Sequence, residues 1–158
     1  MTDMQIELHK NSNGDTWTAP KGVTFEQFKE ANDSHRADVA AVMDELGCTL
    51  CENGEKHDWT KTQYEKDFYG DFLEAMCGGI DFVSGKWYQL HINEERHHLL
   101  SRCPEDVNLL DVIEMIVDCV CAGKTRSGEV RELEVSLEIL NKAFQNTVKL
   151  IDDMTVVK

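Results

Sequence analysis

Residues 129–151 read EVRELEVSLEILNKAFQNTVKLI and carry apolar side chains three or four positions apart. The apolar positions are Val130, Leu133, Leu137, Leu140, Phe144 and Val148. Their spacing matches the 3.6-residue period of an α-helix, so it predicts one long amphipathic helix from about Glu129 to Ile151. Such a helix buries its apolar face against other helices, which favours an all-α protein.

Four further segments show the same helical pattern. Thr24 and Gln27 form a capping box that opens a helix, which Gly47 is expected to end. The others are predicted at about residues 60–76, 86–100 and 107–122. The chain is therefore predicted to be an all-α, single-domain bundle of about five main helices. Residues 1–23 form an N-terminal arm with a short edge strand at residues 5–8, and residues 24–158 form the helical domain.

The chain is acidic. Its 158 residues include 16 basic and 30 acidic side chains, so the formal net charge is −14 at pH 7. This charge excludes a protein that wraps a long nucleic acid or lies on an anionic membrane, because both partners need a basic surface. The N-terminus lacks the pattern of a signal peptide, so we expect a cytoplasmic protein whose six cysteines remain thiols.

Histidines and carboxylates recur along the predicted helices, and Asp118 interrupts the most apolar of them. A carboxylate in such a run is costly unless it pairs with a cation. Imidazole and carboxylate together are natural ligands for zinc, manganese and iron, so the joint pattern predicts a metal site. Taken alone, a histidine on an apolar face, such as His35, is more often a hydrogen-bonded core histidine than a ligand, and the carboxylates alone also fit a solvated helix face. The predicted ligands are His35, His57, Asp58, His91, His97, His98 and Asp118.

The order His, His-Asp, His, His-His, Asp resembles that of the HD-domain metal-dependent phosphohydrolases, in particular their two-metal branch. The stretch from His57 to Lys61 is similar to the HDxGK motif of that branch, with Thr60 where glycine is usual and Lys61 matching. The resemblance covers roughly residues 30–128. The whole sequence looks most like a small family of bacterial and phage proteins of unassigned function.

The resemblance implies an HD-like fold and one or two divalent transition metals, namely manganese, iron or zinc, with magnesium as an alternative. One metal would be held by His35, His57 and Asp118. The other would be held by His91 together with His97 or His98. Asp58 would bridge the metals or orient the nucleophile in the hydrolysis of a nucleotide or another small phosphate ester.

Because the chain is acidic, a substrate held by the metals, Lys61 and one short basic segment would have to be a small anion. Lys61 would contact a phosphoryl oxygen. Lys124 and Arg126 belong to the one basic, hydroxyl-rich segment of the chain, just before the predicted last helix. Because the N-terminus of a helix favours anions, this segment predicts a phosphate or ribose contact, although a simple capping loop explains it too.

Several alternatives remain open. The same ligands suit a di-iron oxygenase, and a decayed site suits a binding protein that contains a metal without catalysis. An all-α nucleotide pyrophosphatase would hold magnesium with carboxylates alone, which leaves the histidines unexplained. Those carboxylates would be Glu94, Glu95, Glu114 and Asp118. The near-heptad spacing of the last helix also suits a homodimer face, as an alternative to packing within its own bundle.

Overall fold

The computed structural model describes residues 5–130 and 132–158. In this part of the chain the helices are α1 (Phe25–Lys56), α2 (Trp59–Gln63), α3 (Glu65–Met76), α4 (Lys86–Glu94), α5 (Leu109–Arg126) and α6 (Leu137–Met154). The strands are β1 (Ile6–Leu8) and β2 (Thr155–Val157). The predicted all-α class with five main helices is confirmed, because all helices except α2 have at least nine residues. None of the described helices is long and apolar enough to cross a membrane.

The chain forms two compact units. The first contains the described residues up to Thr49 together with Val148–Lys158, and the second contains Leu50–Thr147. In the first unit β1 and β2 pair in parallel, with Ile6 opposite Thr155. The short strand predicted in the N-terminal arm is confirmed, and its partner is the C-terminal strand, which the sequence did not indicate.

Helix α1 begins as predicted and ends later than predicted. The Thr24 hydroxyl accepts a hydrogen bond from Gln27 N at 3.2 Å, and Gln27 Oε1 accepts one from Thr24 N at 3.1 Å. These two bonds form the predicted capping box. The prediction that the helix ends at Gly47 is wrong, because α1 continues to Lys56. A glycine inside a helix costs only about 1 kcal/mol relative to alanine, which the remainder of a long helix can offset.

The apolar core of the second unit involves α5, α6 and the segment that precedes α5. Its buried members are Leu99, Val107, Val112, Met115 and Ala143. The prediction that the last helix starts at Glu129 is wrong, because α6 begins at Leu137. Leu133 nevertheless packs against this core from outside the helix, so its apolar character reflects burial rather than helical periodicity.

The two predicted helices between α1 and α5 are interrupted. The helix predicted at residues 60–76 breaks at Tyr64 into α2 and α3. The helix predicted at residues 86–100 ends at Glu94, and His97 and His98 lie in the turns that follow. The break after Glu94 therefore lies beside His97 and His98. In a continuous helix, the helical period would fix the faces on which these two side chains lie.

Candidate metal site

The chain makes a sharp turn between α1 and α2, at His57 and Asp58. Asp58 has φ 57° and ψ 30° and is the only non-glycine residue in the described part of the chain with a positive φ. Aspartate enters this left-handed region more readily than most residues, at a cost on the order of 1 kcal/mol. The turn places His57 against α5, where its ring contacts Glu114 and Asp118.

Three imidazole rings converge on the carboxylate of Asp58. The Nε2 atom of His57 lies 3.4 Å from Asp58 Oδ2. The Nε2 atoms of His91 and His97 lie 3.5 Å and 3.7 Å from Asp58 Oδ1. Asp58 Oδ1 is buried and has no hydrogen-bond partner, and neither has the Nε2 atom of the buried His97. Because unpaired polar atoms are costly in a protein interior, this arrangement fits a bound cation.

These side chains form two groups that can each hold a metal ion. The first group is His57, Asp58 and His97, and the second is Asp58, His91 and His98. In each group the ligand atoms lie within 4.8 Å of one another. Asp58 belongs to both groups, so one carboxylate can serve two ions. Imidazole nitrogens predominate in both, which suits zinc or iron better than magnesium.

The neighbours His97 and His98 each join a different group, a point that the sequence left open. The turn after α4 separates their directions, so that His97 stacks obliquely on His57 with ring centroids 4.3 Å apart. His98 instead approaches His91, with their Nε2 atoms 2.7 Å apart. Each of the two histidines can therefore serve as a ligand in one of the two groups.

The second ring nitrogen of three of these histidines lies beside an oxygen. His57 Nδ1 donates to Glu114 Oε1 at 3.0 Å, and His91 Nδ1 lies 2.7 Å from the Thr60 hydroxyl. His97 Nδ1 lies 3.1 Å from the same Glu114 oxygen, without the geometry of a hydrogen bond. Contacts of this kind orient a ligand ring and leave Nε2 free for a metal. The sequence suggested Glu114 only as one of the four carboxylates of the alternative magnesium site, and not as a partner of these histidines.

Burial makes two of the histidines poor bases. It lowers the pKa of His91 to about 4, helped by the neighbouring His98. It also lowers the pKa of His98 to about 4, helped by His97. Both rings are therefore neutral at pH 7 and carry the lone pair that a metal ligand needs.

His57 and Asp58 lie in a charged environment. Burial lowers the pKa of His57, but the hydrogen bond to Glu114 and the charge of Asp58 outweigh it and raise that pKa above its usual range. Burial also favours the neutral form of Asp58, yet its contact with Lys61 holds the pKa of this carboxyl below the usual range. Asp58 is therefore a carboxylate at pH 7, already paired with the one lysine that the HDxGK resemblance indicated.

Two of the predicted ligands lie outside both groups. Asp118 Oδ1 is 3.5 Å from His57 Nε2, so it borders the first group. His35 belongs to the first unit, where it lines a cavity of about 700 Å³ together with Asp38. Neither metal-binding group among residues 5–130 and 132–158 includes His35. Its prediction as a ligand depended on the order of histidines and carboxylates that resembles the HD-domain pattern.

An ion pair holds the turn that carries His97 and His98. Arg96 Nε and Nη2 each donate to one carboxylate oxygen of Asp111, both at 2.8 Å. Asp111 is 2% exposed, and its Oδ2 also accepts a hydrogen bond from Asn108 N, which caps α5. This bidentate pair joins the turn to the start of α5. The sequence gives no sign of this pair, because nothing in the local pattern marks Arg96 as the partner of Asp111.

The basic segment lies elsewhere than predicted. Lys124 and Arg126 are in the last turn of α5, and α6 begins only at Leu137. The prediction that they precede a helix N-terminus is therefore wrong, and the end of α5 is a place where carbonyl oxygens favour cations. Arg126 lines a cavity of about 490 Å³ that also borders His57 and Asp58, and Lys124 is not part of its lining.

The carboxylates predicted for a magnesium site do not gather. Glu94 is exposed, Glu95 is buried against Thr60, and Glu114 contacts two histidines. In the part of the chain that the structure describes, neither metal-binding group contains more than one carboxylate.

No protein-family model, curated protein or solved structure matches this chain. The geometry and chemistry of the site are the basis on which a function can be proposed.

Proposed function

We propose that this protein is a metal-dependent phosphohydrolase that acts on a nucleotide or another small phosphate ester. The observation that carries the proposal is the convergence of three imidazole Nε2 atoms on the half-buried Asp58 carboxylate, whose Oδ1 atom is buried and has no hydrogen-bond partner. The resemblance of His57, Asp58 and Lys61 to the HD motif supports the same reaction.

The proposed ligands of the first metal are His57, Asp58 and His97, with Asp118 beside them. Those of the second are Asp58, His91 and His98. We propose manganese, iron or zinc, with magnesium as an alternative. Two such cations lower the pKa of water and stabilise the negative charge that develops on phosphorus.

Side chains of the protein supply the rest of the proposed chemistry. Lys61 forms an ion pair with the shared carboxylate, and its side chain is 32% exposed, although it is not part of the lining of the cavity that borders His57 and Asp58. In the proposed reaction its ammonium group donates to a phosphoryl oxygen or to the leaving group. His91 and His97 are buried, so water is excluded from their side of the site. The lower local dielectric constant strengthens the attraction between Lys61 and a bound anion.

The cavity of about 490 Å³ is the proposed substrate site. Its volume lies within the range of about 300–1,000 Å³ that small-molecule sites occupy. One side borders His57 and Asp58, and Leu50, Ile113 and Val117 supply apolar surface. Arg126 adds one cation to this lining, which suits a small anion with an apolar or planar body. The net charge of −14 would repel a long polyanion.

Location and assembly are also proposals. All six cysteines are free thiols, which supports a reducing cytoplasm, or the host cytoplasm for a phage-encoded protein. Leu137 and Phe144 on α6 are exposed apolar side chains, and they support a homodimer.

Removal of metal tests the proposed function directly. We expect the purified protein to carry one or two divalent metals per chain and to lose hydrolase activity with a chelator. Binding should also raise the free energy of unfolding, by about 2.7 kcal/mol at a metal concentration 100 times the Kd. The measurements are elemental analysis, thermal unfolding, and a hydrolysis screen over nucleotides and cyclic dinucleotides with manganese, iron, zinc and magnesium.

Two results of that screen would contradict the proposal. The first is a folded protein that binds none of the four metals and hydrolyses no phosphate ester. The second is metal-dependent oxygen consumption without hydrolysis, which would identify a di-iron oxygenase on the same ligands.

Arg126→Ala should raise KM about 10-fold for the best substrate of the screen and leave kcat nearly unchanged. A hydrogen bond to a charged group contributes about 1.5–3 kcal/mol, and Arg126 would bind ground state and transition state alike. Steady-state kinetics measure both constants. Lys66→Ala is the matched control, because Lys66 is an exposed cation of α3 outside this cavity. An equal change of KM in both variants would show that Arg126 acts only through the overall charge.

A further inference from the structure

A hydroxyl and a carboxylate outside both ligand groups surround one side of His91. Thr60, on α2, is completely buried, and Glu95, at the end of α4, is 6% exposed. Glu95 Oε1 accepts two hydrogen bonds from Thr60, one from the backbone N at 2.9 Å and one from Oγ1 at 2.7 Å. The same Thr60 Oγ1 lies 2.7 Å from His91 Nδ1. The three side chains therefore form one continuous chain of hydrogen bonds.

The number of protons decides the direction of each bond in this chain. Glu95 Oε1 already accepts the backbone N–H of Thr60, so the same oxygen also accepts the single proton of the Thr60 hydroxyl. Thr60 Oγ1 then offers only lone pairs, and His91 Nδ1 has to donate to it. A neutral imidazole carries one proton, so none remains on His91 Nε2. This bare nitrogen is the atom that lies 3.5 Å from Asp58 Oδ1 and 2.7 Å from His98 Nε2.

We propose that Thr60 and Glu95 are positioning residues that fix His91 in its Nδ1–H tautomer and so keep His91 Nε2 available to a metal ion. The consequence for metal binding rests on the proposed function, whereas the tautomer is a property of the metal-free protein. The plane of the ring is fixed independently, because Trp87 stacks on His91 with centroids 4.8 Å apart and an interplanar angle of 14°. Trp87 thus sets the tilt of the ring, and Thr60 with Glu95 sets which nitrogen carries the proton.

Nitrogen chemical shifts of the His91 ring in metal-free protein test this assignment. We expect the proton on Nδ1 in the wild type and in Thr60→Ser, which keeps the hydroxyl. Thr60→Val removes the hydroxyl at nearly constant volume, and we expect His91 to shift toward the Nε2–H tautomer. A role of Thr60 in stability alone would leave the tautomer unchanged.

Calorimetric titration with Zn²⁺ measures the consequence. Loss of an orienting partner costs about 10- to 100-fold in metal affinity, and we expect this loss in Thr60→Val and only a small change in Thr60→Ser. Thr147→Val is the matched control, because Thr147 is also buried and its hydroxyl bonds Leu109 N and Ala143 O instead of a histidine. It should leave both the tautomer and the affinity as they are in the wild type.

A proton on His91 Nε2 in the metal-free wild type would overturn the proposal, and this measurement needs no variant to fold. Retention of the Nδ1–H tautomer in folded Thr60→Val would overturn it as well. A wild type that binds neither Zn²⁺ nor any of the other three metals of the hydrolysis screen, and keeps the Nδ1–H tautomer, would distinguish the tautomer from the function. It would overturn the proposed function and the metal-binding consequence, and it would support the assignment of the proton.

Discussion

Asp58→Asn should reduce kcat/KM of the proposed hydrolysis by roughly 1,000-fold or more, equivalent to about 4 kcal/mol of transition-state stabilisation. Asp58 is the one side chain common to both metal-binding groups, so its replacement removes a ligand from each. Asparagine has nearly the same shape and also tolerates the left-handed backbone at this position, so the turn between α1 and α2 should persist. The neutral amide cannot supply the negative charge on which three imidazoles converge.

The experiment compares metal content, kcat/KM and thermal unfolding of the metal-free proteins. Asp81→Asn is the matched control, since Asp81 is exposed and its side chain makes no capping hydrogen bond. The control should keep its metal and its activity. Full metal content and full activity in Asp58→Asn would contradict the role of Asp58, and with it the proposed function.

Arg96→Met should lower the free energy of unfolding by about 3–5 kcal/mol. The substitution keeps the aliphatic length of the side chain and removes the guanidinium that binds both oxygens of Asp111. Asp111 is buried, so its charge would lose its counter-ion, which costs more than the pair contributes when it is intact. Because Arg96 precedes His97 and His98, the affinity for metal should fall along with the stability.

Urea unfolding of the metal-free proteins measures the effect on stability without any contribution from bound ions. Arg102→Met is the control in a neighbouring turn, where Arg102 is exposed and donates only to Asn93. Its cost should stay below about 1 kcal/mol, the usual limit for exposed contacts. Equal losses of unfolding free energy in the two variants would show that the Arg96–Asp111 pair contributes no more to stability than an exposed contact.

Local patterns in the sequence were sufficient for the fold class and for the start of α1. Helical periodicity is a property of short segments, and the capping box joins two residues, Thr24 and Gln27, that are only three positions apart. The ends of helices were less predictable. Gly47 is a typical stop signal, yet α1 continues through it to Lys56. The sequence predicts that the helix at residues 86–100 continues through residues 95–98. In the structure Glu95 instead contacts Thr60, His97 contacts Glu114, and this segment forms turns.

The sequence by itself determined which residue types are present for a metal site: the His57-Asp58 pair, His91, the His97-His98 pair and a nearby Asp118. Only the tertiary structure decided how they combine, with His97 beside His57, His98 beside His91, and Asp58 common to both groups. It also revealed the contacts that these histidines make with Glu114 and with Thr60, which in turn bonds Glu95. The physical reason is that these contacts join residues 31 to 57 positions apart, over which side-chain periodicity carries no information.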